Sequence, residues 1–269
     1  MKHKKKRKRK IQKIVVIVAI VVIVLAVIVL MVFFQKGEEA STPQEENVKE
    51  EIELQEESVV NEEEEEKEEE KEEEIIELAE SISLDVPMVY QRPELPTGCE
   101  ITSLAMVLNY YGYDIDKCSL SDEYLDKGPT FETNPYHAFM GEPRSVHSYG
   151  CYAPVIVNAA KKYLSTVGNE LLVYDMSGSD FEEFLPYLNK GIPVIVWETI
   201  GMKESYCSSS FTVDGETVEG ITNEHCMVLI GYDQDHYIMA DPLAGIKYYG
   251  KDIVVQRYNE MNRQAVIVM

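Results

Sequence analysis

Thr97-Gly98-Cys99-Glu100-Ile101-Thr102-Ser103-Leu104-Ala105-Met106-Val107-Leu108-Asn109-Tyr110-Tyr111-Gly112 is the stretch that decides the reading of the fold. Ile101, Leu104, Ala105, Leu108 and Tyr111 recur at steps of three and four, as on one buried helix face, and Gly112 supplies a stop. The spacing predicts an amphipathic helix with Cys99 in its first turn. A thiol is a useful nucleophile only as thiolate, and a helix N-terminus favours that negative charge. A lone cysteine is more often an inert core residue, so its companions carry the decision.

Upstream, Pro87 to Gln91 is a short extended lead-in to the turn-rich Arg92 to Gly98. Downstream, a second helix is predicted over Tyr152 to Leu164, with Pro154 tolerated only in its first turn. Between the two helices, Cys118 to Tyr149 is polar and rich in Pro, Gly and Tyr, and reads as an ordered surface excursion without regular elements. Ser179-Asp-Phe-Glu182 reads as a capping box before Phe184, Leu185 and Leu188, closed by Gly191. Ile192 to Trp197 reads as a buried strand, with Trp197 in the core. Asp214-Gly215 between Phe211-Thr-Val213 and Glu216-Thr-Val218 is a hairpin signal. His225 to Ile230, a turn at Asp233 to Asp235, and Tyr237 to Asp241 form another hairpin, and Ala265 to Met269 a last strand. Helices first and antiparallel strands later make an α+β layout.

A cysteine nucleophile needs a base, the base needs an orienting acceptor, and the oxyanion needs donors. His137 and His147 lie in the excursion and His236 at a hairpin tip, where surface histidines are the ordinary expectation. His225 opens its strand and Asp241 closes the next one, so the hairpin brings them to matching ends. Cys226, alternating to the other side of the strand from His225, reads as a core thiol.

Gln91-x7-Cys99 with Pro96-Thr-Gly98 before the cysteine, then His225-x-Met-Val-Leu-Ile-Gly231-Tyr-Asp233 and Ala240-Asp241-Pro242, resembles the C39-like (double-glycine leader peptidase-like) branch of papain-fold cysteine peptidases. The resemblance spans roughly residues 85–269. It implies Cys99 as nucleophile, His225 as general base, and Asp241 as the residue orienting His225. Gln91 and the backbone N–H of Cys99 would hold the oxyanion. The 126-residue separation of Cys99 and His225 sits close to the papain-like interval. The excursion is a large insertion that could wall or cover the substrate cleft.

Cys118, Cys151, Cys207 and Cys226 allow three full disulfide connectivities. A Cys118–Cys151 bridge would staple the excursion, with free thiols as the alternative. No paired Cys-x2-Cys motif suggests structural zinc, and no cofactor is expected.

The formal charge of −23 is unevenly placed. Residues 1–34 carry nine Lys or Arg and no acid, 35–80 carry 22 Glu against four Lys, and 81–269 carry 26 acids against 12 bases. Ile14 to Phe34 is an unbroken apolar run of 21 residues, which at about 1.5 Å per residue spans a bilayer core. With the basic end held inside, the rest of the chain is expected outside the cell membrane. The sequence therefore divides into a basic cytoplasmic N-terminus (1–13), a transmembrane anchor (14–34), an acidic disordered stalk (35–80) and a papain-like domain (81–269). The acidic balance of the last part argues against nucleic acid as partner and mildly disfavours anionic substrates.

The expectation is a single-pass, membrane-anchored, extracellular thiol peptidase acting on peptide or protein substrates. The alternatives are a cell-wall peptide amidase or transpeptidase with the same triad, and a catalytically silent binding module.

Overall fold

The computed structural model describes residues 78–169, 171–213 and 215–269. The basic N-terminus, the predicted anchor and nearly all of the predicted stalk lie outside the described residues. Among the described residues, no helix is long and apolar enough to cross a membrane.

β1 (Ile82–Ser83) leads towards α1 (Cys99–Tyr110), followed by α2 (Lys117–Glu123), β2 (Lys127–Gly128), β3 (Phe139–Met140) and α3 (Ala153–Val167). β4 (Val173–Asp175), a 3-10 turn (Phe181–Phe184), α4 (Leu185–Asn189) and β5 (Val194–Thr199) precede a hairpin of β6 (Cys207–Val213) and β7 (Glu216–Ile221). Last come β8 (Glu224–Tyr232), β9 (His236–Asp241), β10 (Gly245–Gly250), α5 (Lys251–Glu260) and β11 (Ala265–Val268). The main sheet runs β10-β9-β8-β5-β11-β4, with β1 on the far end of β8, and every pairing in it is antiparallel.

Strand alternation builds two cores from this one sheet. Ile195 and Trp197 of β5, Cys226, Val228 and Ile230 of β8, and Ala240 of β9 pack with Ile101, Leu104 and Leu108 of α1 and Ile156 and Ala160 of α3. Their neighbours Val194, Val196, Met227, Leu229 and Met239 pack on the opposite face with Val254 and Tyr258 of α5 and with Phe181 and Phe184. Each fully buried Leu or Ile side chain contributes about 1.5–3 kcal/mol relative to exposure. This is the expected α+β architecture. At Gly231 the backbone of β1 comes so close that a Cβ would stand 2.1 Å from the Ile82 carbonyl oxygen, so only glycine admits that strand.

Both predicted long helices form, α1 followed by Gly112 and α3 ended by Gly168 in the left-handed conformation. Three local expectations are corrected. The excursion is not free of regular structure: Asp116 accepts the N–H groups of Cys118 and Ser119, caps α2, and so starts a helix. β2 and β3 then pair in parallel. The Ser179 capping box does not form; the helical turn starts one residue later, after Asp180, with no side-chain cap bond. α5 was not expected, because Arg257 occupies a buried position in the Val254, Tyr258 stripe and interrupts the apolar spacing.

Candidate active site

Cys99 is the first residue of α1, where the N–H groups have no intrahelical acceptor and the helix dipole is positive. The side chain is 6% exposed and sits in the core shared by α1 and β8. Its thiol donates to Glu100 Oε2 at 3.3 Å. Burial pushes the Cys99 thiol well up, and Glu100, Glu224 and Cys226 push it further, while a backbone hydrogen bond from Cys226 acts the other way. The thiol is therefore protonated in this arrangement.

His225 and Asp241 are brought together as the hairpin predicts. His225 Nε2 lies 2.8 Å from Asp241 Oδ1, with both residues buried. Asp241 Oδ1 also accepts the N–H of Leu243 at 2.7 Å. Burial pushes the Asp241 carboxyl up, but the hydrogen bond and charge of His225 and the N–H groups of Leu243 and Ala244 outweigh it, and the carboxyl is held below its ordinary range. An ionised Asp241 fixes the ring through Nε2 and leaves Nδ1 as the nitrogen available for proton exchange.

Strand alternation places His225 on the face of Met227 and Leu229, whereas Cys226 shares the core of Cys99. The structure thus joins the histidine to its aspartate but hands the thiol to Glu100 rather than to His225.

Gln91 is 2% exposed, and its backbone N–H donates to the Pro242 carbonyl, next to Asp241. Its Nε2 donates to the carbonyls of Leu95 (3.3 Å) and Pro96 (2.9 Å), and its Oε1 is buried without a partner. Gln91 therefore ties the loop leading to Cys99 to the loop after Asp241, with its donor occupied by carbonyls. The excursion walls the same loop: Thr97 N–H donates to Pro143 O, and Thr97 Oγ1 to Ser145 O.

All five cysteines are free thiols, so the Cys118–Cys151 staple is not formed. Cys151 is buried in the core, whereas Cys118 is half-buried on α2. The end of the excursion is held through the Cys151 backbone instead: its N–H donates to Glu100 Oε1 at 2.8 Å, and its carbonyl accepts Trp197 Nε1 at 2.9 Å. Trp197 is in the core as expected.

Three buried carboxyl groups had been assigned no role from sequence: Glu100, Glu224 and Glu198. Glu100 and Glu224 directly adjoin the nucleophile and base candidates in the chain, which was the available signal. Glu198 stands opposite His225 in the β5–β8 pairing, on the same face, with neither carboxyl oxygen bonded. Burial pushes its carboxyl well above its ordinary 4.5; Arg257 pulls it down and Glu260 up. A raised carboxyl favours the folded state fully below the unfolded value and loses that contribution as pH rises towards the folded value. Glu198→Gln is expected to raise the thermal midpoint at pH 8 relative to wild type and to flatten its decline between pH 5 and 8. The gain is on the order of 1–2 kcal/mol, or about 2–8 °C. Melting curves at the two pH values check it.

The sequence model of the Peptidase_C39 like family matches residues 83–266, which include every residue placed above. The chain belongs to that family. The chain is 31% identical over 193 residues to the uncharacterized protein YvpB of Bacillus subtilis (strain 168), covering 69% of this chain and 75% of YvpB. It is similar to the crystal structure of a candidate C39-like peptidase from Bacillus anthracis, with 30% identity, a TM-score of 0.64, and coverage of 71% of this chain and 98% of the other. The peptidase domain of Streptococcus ComA, a bi-functional ABC transporter involved in a quorum sensing pathway, matches at 18% identity and a TM-score of 0.40, covering 68% of this chain and 96% of that one.

Proposed function

We propose that this chain is a cysteine peptidase in which Cys99 attacks a peptide carbonyl, with His225 as base and acid and Asp241 as its orienting group. The observation that carries the reading is the buried 2.8 Å contact of His225 Nε2 with Asp241, which leaves Nδ1 for the thiol. In the reaction, Cys99 turns from Glu100 towards His225 Nδ1 and gives up its proton. The thiolate adds to the carbonyl carbon. The Cys99 N–H at the helix start stabilises the oxyanion, and Gln91 Nε2 joins it by exchanging one carbonyl acceptor for the oxyanion. His225 then protonates the leaving amine, and water hydrolyses the thioester, with His225 as base for that step.

The domain is proposed to work outside the cell, held by the 14–34 anchor on the acidic stalk. Support for this comes from the length of the apolar run and the basic residues before it. Membership of the family supports peptide or protein substrates.

An amidase or transpeptidase acting on cell-wall peptides uses the same residues, so the substrate must be tested directly. The full chain, incubated with an unfolded protein and separately with purified wall stem peptides, is expected to release new N-termini from the protein, and Cys99→Ala is expected to release none. Products from the wall peptides alone would move the reading to the amidase.

A further inference from the structure

Behind Cys99 lies a carboxyl pair that the proposed reaction does not use. Glu100 is fully buried and Glu224 is 8% exposed. One ligand atom each from Cys99, Glu100 and Glu224 falls within 4.8 Å of the other two. Glu100 divides its oxygens between the Cys99 thiol and the Cys151 N–H, while Glu224 Oε1 has no hydrogen-bond partner. The fit is close: a Cβ at Gly150, whose φ is +147°, would stand 2.5 Å from Glu100 Oε1 and 3.1 Å from Glu224 Oε2. Only glycine lets the end of the excursion close over the two carboxyl groups.

The titratable groups acting on the pair come from each element around it: Cys99 on α1, Cys226 on β8, and Tyr149, Cys151 and Tyr152 before α3. These groups are neutral in their protonated forms. The Cys99 thiol and the Cys151 backbone N–H bond to Glu100, and none of these groups brings a positive charge.

We propose that Glu100, with Glu224 beside it, gates the nucleophile, holding the Cys99 thiol protonated and turned away from His225 until Glu100 itself takes up a proton. This rests on the reading of Cys99 as the nucleophile. With Glu100 ionised, the bond is S–H to carboxylate, and a thiolate would face one or two negative charges in a dry site. When a proton from solvent reaches Glu100, the carboxyl becomes a donor to sulfur. The thiol proton leaves to His225 Nδ1, so one proton enters at Glu100 and one moves from sulfur to imidazole. Burial pushes Glu100 up to about 7, against the hydrogen bonds of its own N–H, Cys151 and Cys99, and burial and Glu100 push Glu224 well up. Near neutral pH Glu100 therefore exchanges its proton with solvent, and raising the pH charges it and opposes the thiolate.

Glu100→Gln tests the gate, since the amide keeps an acceptor for Cys151 N–H, cannot ionise, and can donate to sulfur. In the full chain held in detergent micelles, the pH midpoint of Cys99 alkylation by iodoacetamide is read by peptide mass spectrometry. The midpoint is expected to fall by at least about one pH unit in Glu100→Gln, because each unit reflects a tenfold change in thiolate equilibrium. It is expected to fall by a smaller amount in Glu224→Gln. An unchanged or higher midpoint in a Glu100→Gln protein that melts within a few degrees of wild type overturns the gate. If Glu100→Gln does not fold, Glu224→Gln decides in the same way. Alkylation does not need turnover, so the two readings separate. A shifted midpoint in a protein that cleaves no peptide supports the gate and counts against the peptidase, and an unshifted midpoint in an active peptidase overturns the gate alone.

Discussion

His225→Ala is expected to lower kcat/KM for a peptide substrate by about 10³–10⁴-fold, the range for loss of the general base that the proposed reaction needs. The helix dipole alone does not ionise Cys99, because burial and two carboxyl groups push its thiol up. Without an imidazole to receive the proton, the thiol stays with Glu100. Asp241→Asn is expected to cost about 10²-fold or more: the amide can present an N–H to Nε2, which favours the tautomer with the proton on Nδ1, the wrong nitrogen for accepting one from sulfur. The Asp241 carboxyl is held below its ordinary 3.8, so it stays ionised throughout the neutral range. Loss of activity between pH 7 and 5 therefore reports groups other than Asp241. Its contribution to stability, present above 3.8, is lost only as pH falls through its lower folded value. Steady-state kinetics of the two variants across pH 5–9, with melting curves to show retained folding, check both effects.

Trp197→Ala is expected to destabilise the domain by about 3–5 kcal/mol and lower its melting point by about 6–20 °C. Trp197 is fully buried between the sheet and the α1–α3 layer, and its Nε1 donates to the Cys151 carbonyl at 2.9 Å. Truncation leaves a cavity and also orphans that carbonyl. Trp197→Phe separates the two losses: it keeps most of the volume and removes the donor, for an expected cost of about 1–3 kcal/mol. Because Cys151 is bonded on its other side to Glu100, Trp197→Phe is also expected to loosen the end of the excursion. Faster amide exchange at Gly150 and Cys151 than at core positions of α1 would show it.

The parts of the fold legible in the sequence are those where one local signal decides. The three and four residue spacing from Ile101 marks α1, Gly112 marks its end, and the alternation around the Asp233 turn marks the β8–β9 hairpin that joins His225 to Asp241. α2 was hidden because seven residues with Leu120 as their one buried aliphatic side chain show no period, although Asp116 was there as a cap. α5 was hidden by a charge at a core position: Arg257 is buried because its guanidinium bonds to Glu260 and to the Met202 carbonyl, which no spacing rule anticipates. At the site, Glu100 and Glu224 carry no sequence signal beyond adjoining Cys99 and His225. Alternation explains the outcome for Glu224, which shares the Cys226 side of β8 and so lies with the thiol, while His225 alternates to the side of Met227. Glu100, an acid in the first turn of a helix, looks like ordinary dipole compensation until Gly150 is seen to close over it.

The central claim, that Cys99 is a nucleophile activated by His225, is tested most directly by mapping where a peptide-derived electrophile attaches to the full chain. The prediction is rapid, stoichiometric modification of Cys99 that is lost in His225→Ala, with the exposed Cys207 reacting only at the background rate of a surface thiol. Labelling of Cys207 as fast as Cys99, or labelling of Cys99 that survives His225→Ala undiminished, would contradict it.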